Sequence, residues 1–166
     1  MAVAAIEEGK FASAFPSFGA ERRGAPVQAF VRISENKPIR VRAEISEPDI
    51  VMVLDPGLLS VVNVTAGLKE DGILIINTKK QPEKIREEFG YKWSMATVNA
   101  TEIAREILGV PIVNTTMIGA LLKATEVVKI ESLIEPLKHR FGRIADRNIN
   151  AMKKAYEVTL LQEKVS

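Results

Sequence analysis

A layered α/β domain with a mostly parallel sheet is what this sequence predicts, on three observations. Residues 49–55 and 72–77 are continuous apolar runs bounded by turn residues, the pattern of strands buried on both faces. Helical stretches alternate with them, at 58–68, 82–89 and 100–108, and a shorter apolar run at 95–98 supplies a third strand. The stretch from 114 onward is patterned almost wholly as helix. Alternation at this spacing calls for right-handed crossovers that lay helices on both faces, so the expected class is Rossmann-like and three-layered. An antiparallel hairpin near residues 27–45 decorates it, and residues 1–166 form one domain.

Each element has a local reason. Residues 2–9 have the character of a helix end, with Ile6 as the apolar contact and Gly9 as the stop. Residues 10–15 enter a turn as a strand. Residues 27–34 and 38–45 alternate apolar and polar side chains around Glu35, Asn36 and Lys37, which predicts a hairpin sharing Arg32, Arg40 and Arg42 on one face, exposed to solvent with cross-strand pairing to Glu44 or else used to bind a ligand. The helix at 100–108 has the firmest limits: Asn99 as cap, Glu102 three residues on, Gly109 at the close, and Ile103 with Ile107 as the buried stripe. Asn114 or Thr115 caps the next helix, with Met117, Leu121 and Ala124 on one side. Pro136 must kink the helix at 130–141 or mark its first turn. The final segment is expected as one long helix spanning 143–166, with Ile149, Met152, Tyr156 and Leu160 as its stripe.

Composition narrows the function. The chain has 166 residues, 46% hydrophobic and 27% charged, enough to bury roughly 70% of its unfolded surface. It contains no cysteine, which excludes disulfides, thiolate metal sites and iron–sulfur ligation within the chain. A net charge of +2 with acids and bases interleaved, as in KKQPEKIREE at 79–88, is no phosphate track, so nucleic acid is not an expected partner. No membrane span or leader is legible, and the expected location is cytoplasmic. No nucleophile elbow, phosphate-binding loop or G-x-G-x-x-G fingerprint is present, and the single histidine, His139, between Lys138 and Arg140, is expected to be exposed or capping. Asp49, Asp55 and Asp71 stand at strand ends, where acids commonly make turns. No catalytic and no metal-ligating residue is assigned.

The stretch 15–26, FPSFGAERRGAP, is the candidate binding element. Pro16 and Pro26 fix the backbone at its ends, and Gly19 and Gly24 open conformations closed to other residues. Arg22 and Arg23 offer planar guanidinium forks to a carboxylate or phosphate, and Glu21 can orient one of them. The alternative is a simple ion pair across a surface turn.

With VQAFVRI following at 27–33, DGILIINT at 71–78, VNAT at 98–101 and PIVNTTMIGA at 111–120, this stretch resembles the gamma subunit of pyruvate:ferredoxin oxidoreductase and related 2-oxoacid oxidoreductases. The resemblance runs from Ile6 onward. It implies a subunit of an enzyme that oxidatively decarboxylates a 2-oxoacid with coenzyme A, giving acyl-CoA, carbon dioxide and reduced ferredoxin. It also implies that thiamine diphosphate, Mg and 4Fe-4S clusters reside on alpha, beta and delta partner subunits, that ferredoxin is met only indirectly, and that this chain binds none of these cofactors. Gly19, Glu21, Arg22, Arg23 and Gly24 would then touch coenzyme A or a neighbouring subunit. Gamma subunits of this kind open with a strand and a glycine-rich loop ahead of the first helix, and the expectation is that both are missing here. An independent nucleotide- or acyl-CoA-binding module is the second reading of the same residues.

Overall fold

The computed structural model describes residues 1–17 and 26–165. Its centre is a sheet of four strands in the order β3–β4–β5–β6: β3 (Ile50–Val53), β4 (Ile73–Asn77) and β5 (Ser94–Val98) run parallel, and β6 (Leu160–Gln162) runs antiparallel on the β5 edge. The alternation of side chains along β4 and β5 explains why both runs are continuously apolar. Ile75, Ala96 and Val98 face one layer, while Leu74, Ile76 and Met95 face the other.

Helices cover both faces, as the layered class requires. On the first lie α3 (Ala100–Leu108), α4 (Asn114–Thr125) and α6 (Ala145–Val158). On the second lie α2 (Pro82–Phe89) and the turns after β3. The caps of α3 are those expected: the Asn99 side chain accepts from Glu102 N, and Gly109 closes the helix at φ +79°. Helices α4 and α6 cross without a side chain between them, since a Cβ on Gly119 would stand 1.9 Å from the Met152 carbonyl oxygen. A third cluster joins α4 and α6 to α1 (Ala2–Glu7) and α5 (Ile134–Phe141) through Ala4, Ala5, Leu122, Leu137 and Ile149. Pro136 lies in the first turn of α5, one of the two places open to it.

Four expectations are corrected. The hairpin near 27–45 exists as an antiparallel ribbon, but β2 (Gln28–Ser34) pairs with β1 (Phe11–Ser17), from Phe11↔Ser34 to Ser17↔Gln28, and residues 38–45 form no strand. Alternation shows that a segment suits a pleated sheet, not which partner it takes. The helix expected at 58–68 is a 3₁₀ turn at Pro56–Ser60, followed by irregular turns. Val61, Val62, Val64 and Thr65 are β-branched and disfavour helix, and Gly67 adopts φ +74° with no room for a Cβ beneath the Ser46 carbonyl.

The long C-terminal helix stops at Val158. Thr159 turns extended, its hydroxyl donating to Ala155 O at 2.6 Å, and the next three residues add β6 to the sheet, which leaves Leu160 exposed instead of on a helix stripe. In α1 the apolar contact is not Ile6. Ala4 and Ala5 are fully buried, while Val3 and Ile6 are each 56% exposed.

Candidate functional site

Two features at the molecule's margins have the geometry of a binding element: the β1–β2 ribbon and a cavity beside α4. Gly19, Glu21, Arg22, Arg23 and Gly24 lie outside the described residues, between the strands of the ribbon in sequence. What the structure brings together is the stem. Phe15 and Phe30, directly opposite in register, place their rings 5.5 Å apart on one ribbon face. On that same face Ser17 donates to Glu44 Oε1 at 2.7 Å, and Arg32 Nη2 donates to Glu44 O at 3.2 Å. Residues 38–45 are therefore laid against the ribbon through Glu44, carrying exposed Arg40 and Arg42 with them. The shared face expected for the three arginines is not formed, because Arg40 and Arg42 belong to no strand. Arg32 Nη1 is shut off from solvent and has no hydrogen-bond partner among the described residues.

The cavity, about 720 Å³, is open to solvent and lies between the start of α1, the first turn of α4 and the length of α5. That volume falls in the range of small-molecule sites. Its position follows from the fold. β6 starts opposite Thr97, so α6 ends at the carboxyl side of the parallel strands. Helix α4 runs antiparallel to α6: Met117 and Ala120 cluster with Ala151 and Ala155, and Leu122 with Ala145 and Ile149. Its N-terminus is therefore also at the carboxyl side, where open α/β sheets take ligands. Val3, Ile118 and Phe141 supply apolar wall, while Thr115, His139 and Arg140 bring donors and charge. Glu7 and Glu135 line it as well, so the wall carries charge of both signs and selects no anionic ligand.

The strand ends themselves are closed. Asn77, buried at the end of β4, donates to Leu54 O and Thr101 Oγ1, both at 2.9 Å, and accepts from Thr101 N at 3.3 Å. One amide thus ties β3, β4 and α3 together where a nucleotide would otherwise lie. The polar residue that ends ILIIN was its only trace in the sequence. The three acids noted at strand ends have structural partners: Asp55 accepts from Gly57 N at 2.9 Å, Asp49 pairs with Lys69 at 2.7 Å, and Asp71 pairs with Lys164. The ammonium of Lys164, by donating a hydrogen bond, holds the Asp71 carboxyl below its usual range. Among the described residues no group of three or more His, Cys, Asp or Glu could hold a metal ion. None of their helices is long and apolar enough to cross a membrane.

At the far end of α1, Glu8 accepts from Lys129 N at 2.6 Å and pairs with Lys10 at 3.2 Å, while Lys10 donates to Val127 O at 2.7 Å. A hydrogen bond from the Ser132 hydroxyl, aided by Lys129 N–H and Lys10, lowers the Glu8 pKa. This knot fixes α1, and with it one wall of the cavity, to the segment leading into α5.

Known proteins resemble this chain in sequence and fold. The family model for pyruvate ferredoxin/flavodoxin oxidoreductase matches residues 1–158. The Pyrococcus furiosus pyruvate/ketoisovalerate oxidoreductases common subunit gamma is 55% identical over 161 residues, 96% of this chain and 86% of the relative. The Methanothermobacter marburgensis pyruvate synthase subunit PorC is 49% identical, over 95% of this chain and 85% of its own. Among solved structures, the pyruvate oxidoreductase subunit PORC of Thermotoga maritima superposes with a TM-score of 0.86 at 38% identity, covering 98% of this chain and 87% of that one. The 2-oxoglutarate:ferredoxin oxidoreductase of Magnetococcus marinus, solved with 2-oxoglutarate, coenzyme A and succinyl-CoA bound, shares the fold at 18% identity and a TM-score of 0.72, over 99% of this chain and 29% of that one.

Proposed function

The chain belongs, as a gamma-type member, to the pyruvate ferredoxin/flavodoxin oxidoreductase family, and on that footing we propose that it is the non-catalytic gamma subunit of a pyruvate (2-oxoacid):ferredoxin oxidoreductase. That enzyme oxidatively decarboxylates a 2-oxoacid with coenzyme A, yielding acyl-CoA, carbon dioxide and reduced ferredoxin, in the cytoplasm. The observation that carries the reading is a match of 55% identity along nearly the whole of both chains to a protein that is itself a subunit.

The residues present do not fit the redox cofactors. With no cysteine the chain lacks the thiolates that iron–sulfur clusters require, and the family likeness supports placing the 4Fe-4S clusters, with thiamine diphosphate and Mg, on alpha, beta and delta partner subunits. The chain's own part is to bind and position. The cavity at the carboxyl side of the sheet has apolar wall with Arg140, Glu7 and Glu135 in its lining, and Arg22 with Arg23 offers a cationic group to the phosphates of coenzyme A or to an acidic neighbour. Arg22→Ala in the assembled enzyme removes one charge-assisted bond of about 1.5–3 kcal/mol, so the coenzyme A requirement rises roughly 10- to 100-fold. Unchanged kinetics with weaker subunit association assign the arginine to the interface instead.

The test is reconstitution. Ferredoxin reduction that depends on 2-oxoacid and coenzyme A is expected only when this chain joins its partner subunits, and oxidation of a keto acid by the purified chain alone overturns the reading. The cavity favours a second reading, an independent acyl-CoA- or nucleotide-binding module. Elution of the native protein near its own 18.3 kDa, with no larger species, would support that one.

A further inference from the structure

Helix α1 forms one wall of the cavity, through Ala2, Val3 and Glu7, yet little fastens it to the body. Its fully buried side chains are Ala4 and Ala5, which give one methyl each to a cluster whose bulk comes from Leu122, Leu137, Ile149 and Met152 of α4, α5 and α6. Burial stabilises in proportion to apolar area, so these two contacts are weak. Among the described residues, the hydrogen bonds from α1 to the body end on one side chain: Glu8, the C-cap residue, accepts from Lys129 N at 2.6 Å and from the Ser132 hydroxyl. The residues that follow have the character of a hinge and its mount. Gly9 stands at φ +79° with open space where a Cβ would lie. Lys10, besides its ion pair with Glu8, donates to Val127 O at 2.7 Å, and Ala12 with Ile33 packs on the helical cluster, so the base of the β1–β2 ribbon is pinned to the body independently of α1.

We propose that α1 is a hinged wall of the cavity, turning about Gly9, and that Glu8 is the latch that keeps it closed. Opening breaks the Glu8 contacts with Lys129 and Ser132 and lifts two alanines from the cluster, while the leucine, isoleucine and methionine side chains of α4, α5 and α6 stay packed on one another. The ribbon stays where it is, held at its base by Lys10, Ala12 and Ile33. Opening therefore costs much less than unfolding the chain, and access to the cavity is set at Glu8 and not in the sheet. The inference concerns the cavity alone and does not depend on the reading of the chain as a subunit.

The chain contains no cysteine, so a single introduced thiol reports its own exposure. Ala4→Cys on α1 and Ala96→Cys in β5, both at fully buried positions, are labelled with an aromatic disulfide reagent in the native full-length chain over a range of low urea concentrations. Ala4→Cys is expected to react about 100-fold faster than Ala96→Cys, at a rate nearly independent of urea, whereas the Ala96→Cys rate rises steeply because only global unfolding exposes it. Adding Glu8→Ala is expected to speed the Ala4→Cys reaction roughly 10- to 100-fold. Adding Asn77→Ala, which loosens the sheet and leaves the latch untouched, is expected to speed Ala96→Cys alone.

Equal rates and equal urea dependence at the two positions overturn the hinged wall, since α1 then opens only when everything does. An Asn77→Ala variant that speeds both reactions alike overturns it too. A fast Ala4→Cys reaction that Glu8→Ala leaves unchanged overturns the latch. Circular-dichroism melts check that the variants fold, and Ala5→Cys, equally buried, takes the place of Ala4→Cys if that chain does not.

Discussion

The central sheet and the β1–β2 ribbon are both made of short apolar strands, yet they bury them in opposite ways. In β4 and β5 four residues of five are buried, because helices press on both faces and neighbours pair on both edges. In β1 no residue is buried, and β2 pairs with β1 alone. The sheet is stabilised by this chain's own core; the ribbon has packing support only at its base and leaves valine and alanine side chains to water. The difference separates a body closed around its own core from a ribbon packed at its base and open to water beyond it.

The contrast can be broken hardest at the α4–α6 crossing. Gly119→Ala drives a methyl into the Met152 carbonyl, and the helices must part. The expected loss is about 3 kcal/mol or more, which for a chain of this size lowers Tm by roughly 6–12 °C, read by circular dichroism. A Tm within a degree of wild type would show that the two helices slide easily, and that the body is no more rigid than the ribbon.

Asn77→Ala removes three hydrogen bonds at the strand ends, one of them to the Leu54 carbonyl. We expect a loss of about 1–3 kcal/mol in urea unfolding with an unchanged m value.

Glu8 sharpens the contrast at its boundary, since it anchors α1, the element that touches both the ribbon and the body. Its folded pKa lies below its ordinary value, first because of the Ser132 hydroxyl and then through Lys129 N–H and Lys10. The stabilisation is therefore complete above the unfolded pKa, near 4.5, and is lost as pH falls through the lower folded value. The Tm difference between wild type and Glu8→Gln is expected to be constant near neutrality and to close below roughly pH 4. A gap that persists in acid would mean that the carboxylate charge has no part in it.

The smallest effect is expected on the ribbon. Val31→Ser changes the stability of the isolated chain by no more than about 1 kcal/mol, because Val31 is already 42% exposed. A larger loss would show that the ribbon is packed within the chain after all.

Legibility in the sequence follows the same division. Strands β4 and β5 and helices α2 and α3 were readable to within a residue or two, because their causes are local: Pro82 opening a helix, Gly90 and Gly109 in left-handed geometry closing two, Asn99 capping one. Of the candidate site, the sequence offered the cationic loop at 15–26, whose arginines lie outside the described residues, and it marked the three strand-end acids as turn formers. It did not show the cavity, whose walls come from residues more than 130 positions apart, such as Val3 and His139. Nor did it show the Asn77 clamp, which depends on Leu54 and Thr101 arriving at the same point.

By itself, then, the chain's order of residues determined which stretches are helix or strand in the α/β body, and that no thiolate chemistry occurs within it. Only the tertiary structure decided that β2 takes β1 as its partner, that residues 160–162 leave a helical pattern to close a sheet edge, and that α1 turns its alanines inward. Propensity and capping act over a few neighbouring residues. Strand pairing and the choice of buried face are settled by whichever distant surfaces meet, and α1 turns Ala4 and Ala5 to the cluster it shares with α4, α5 and α6.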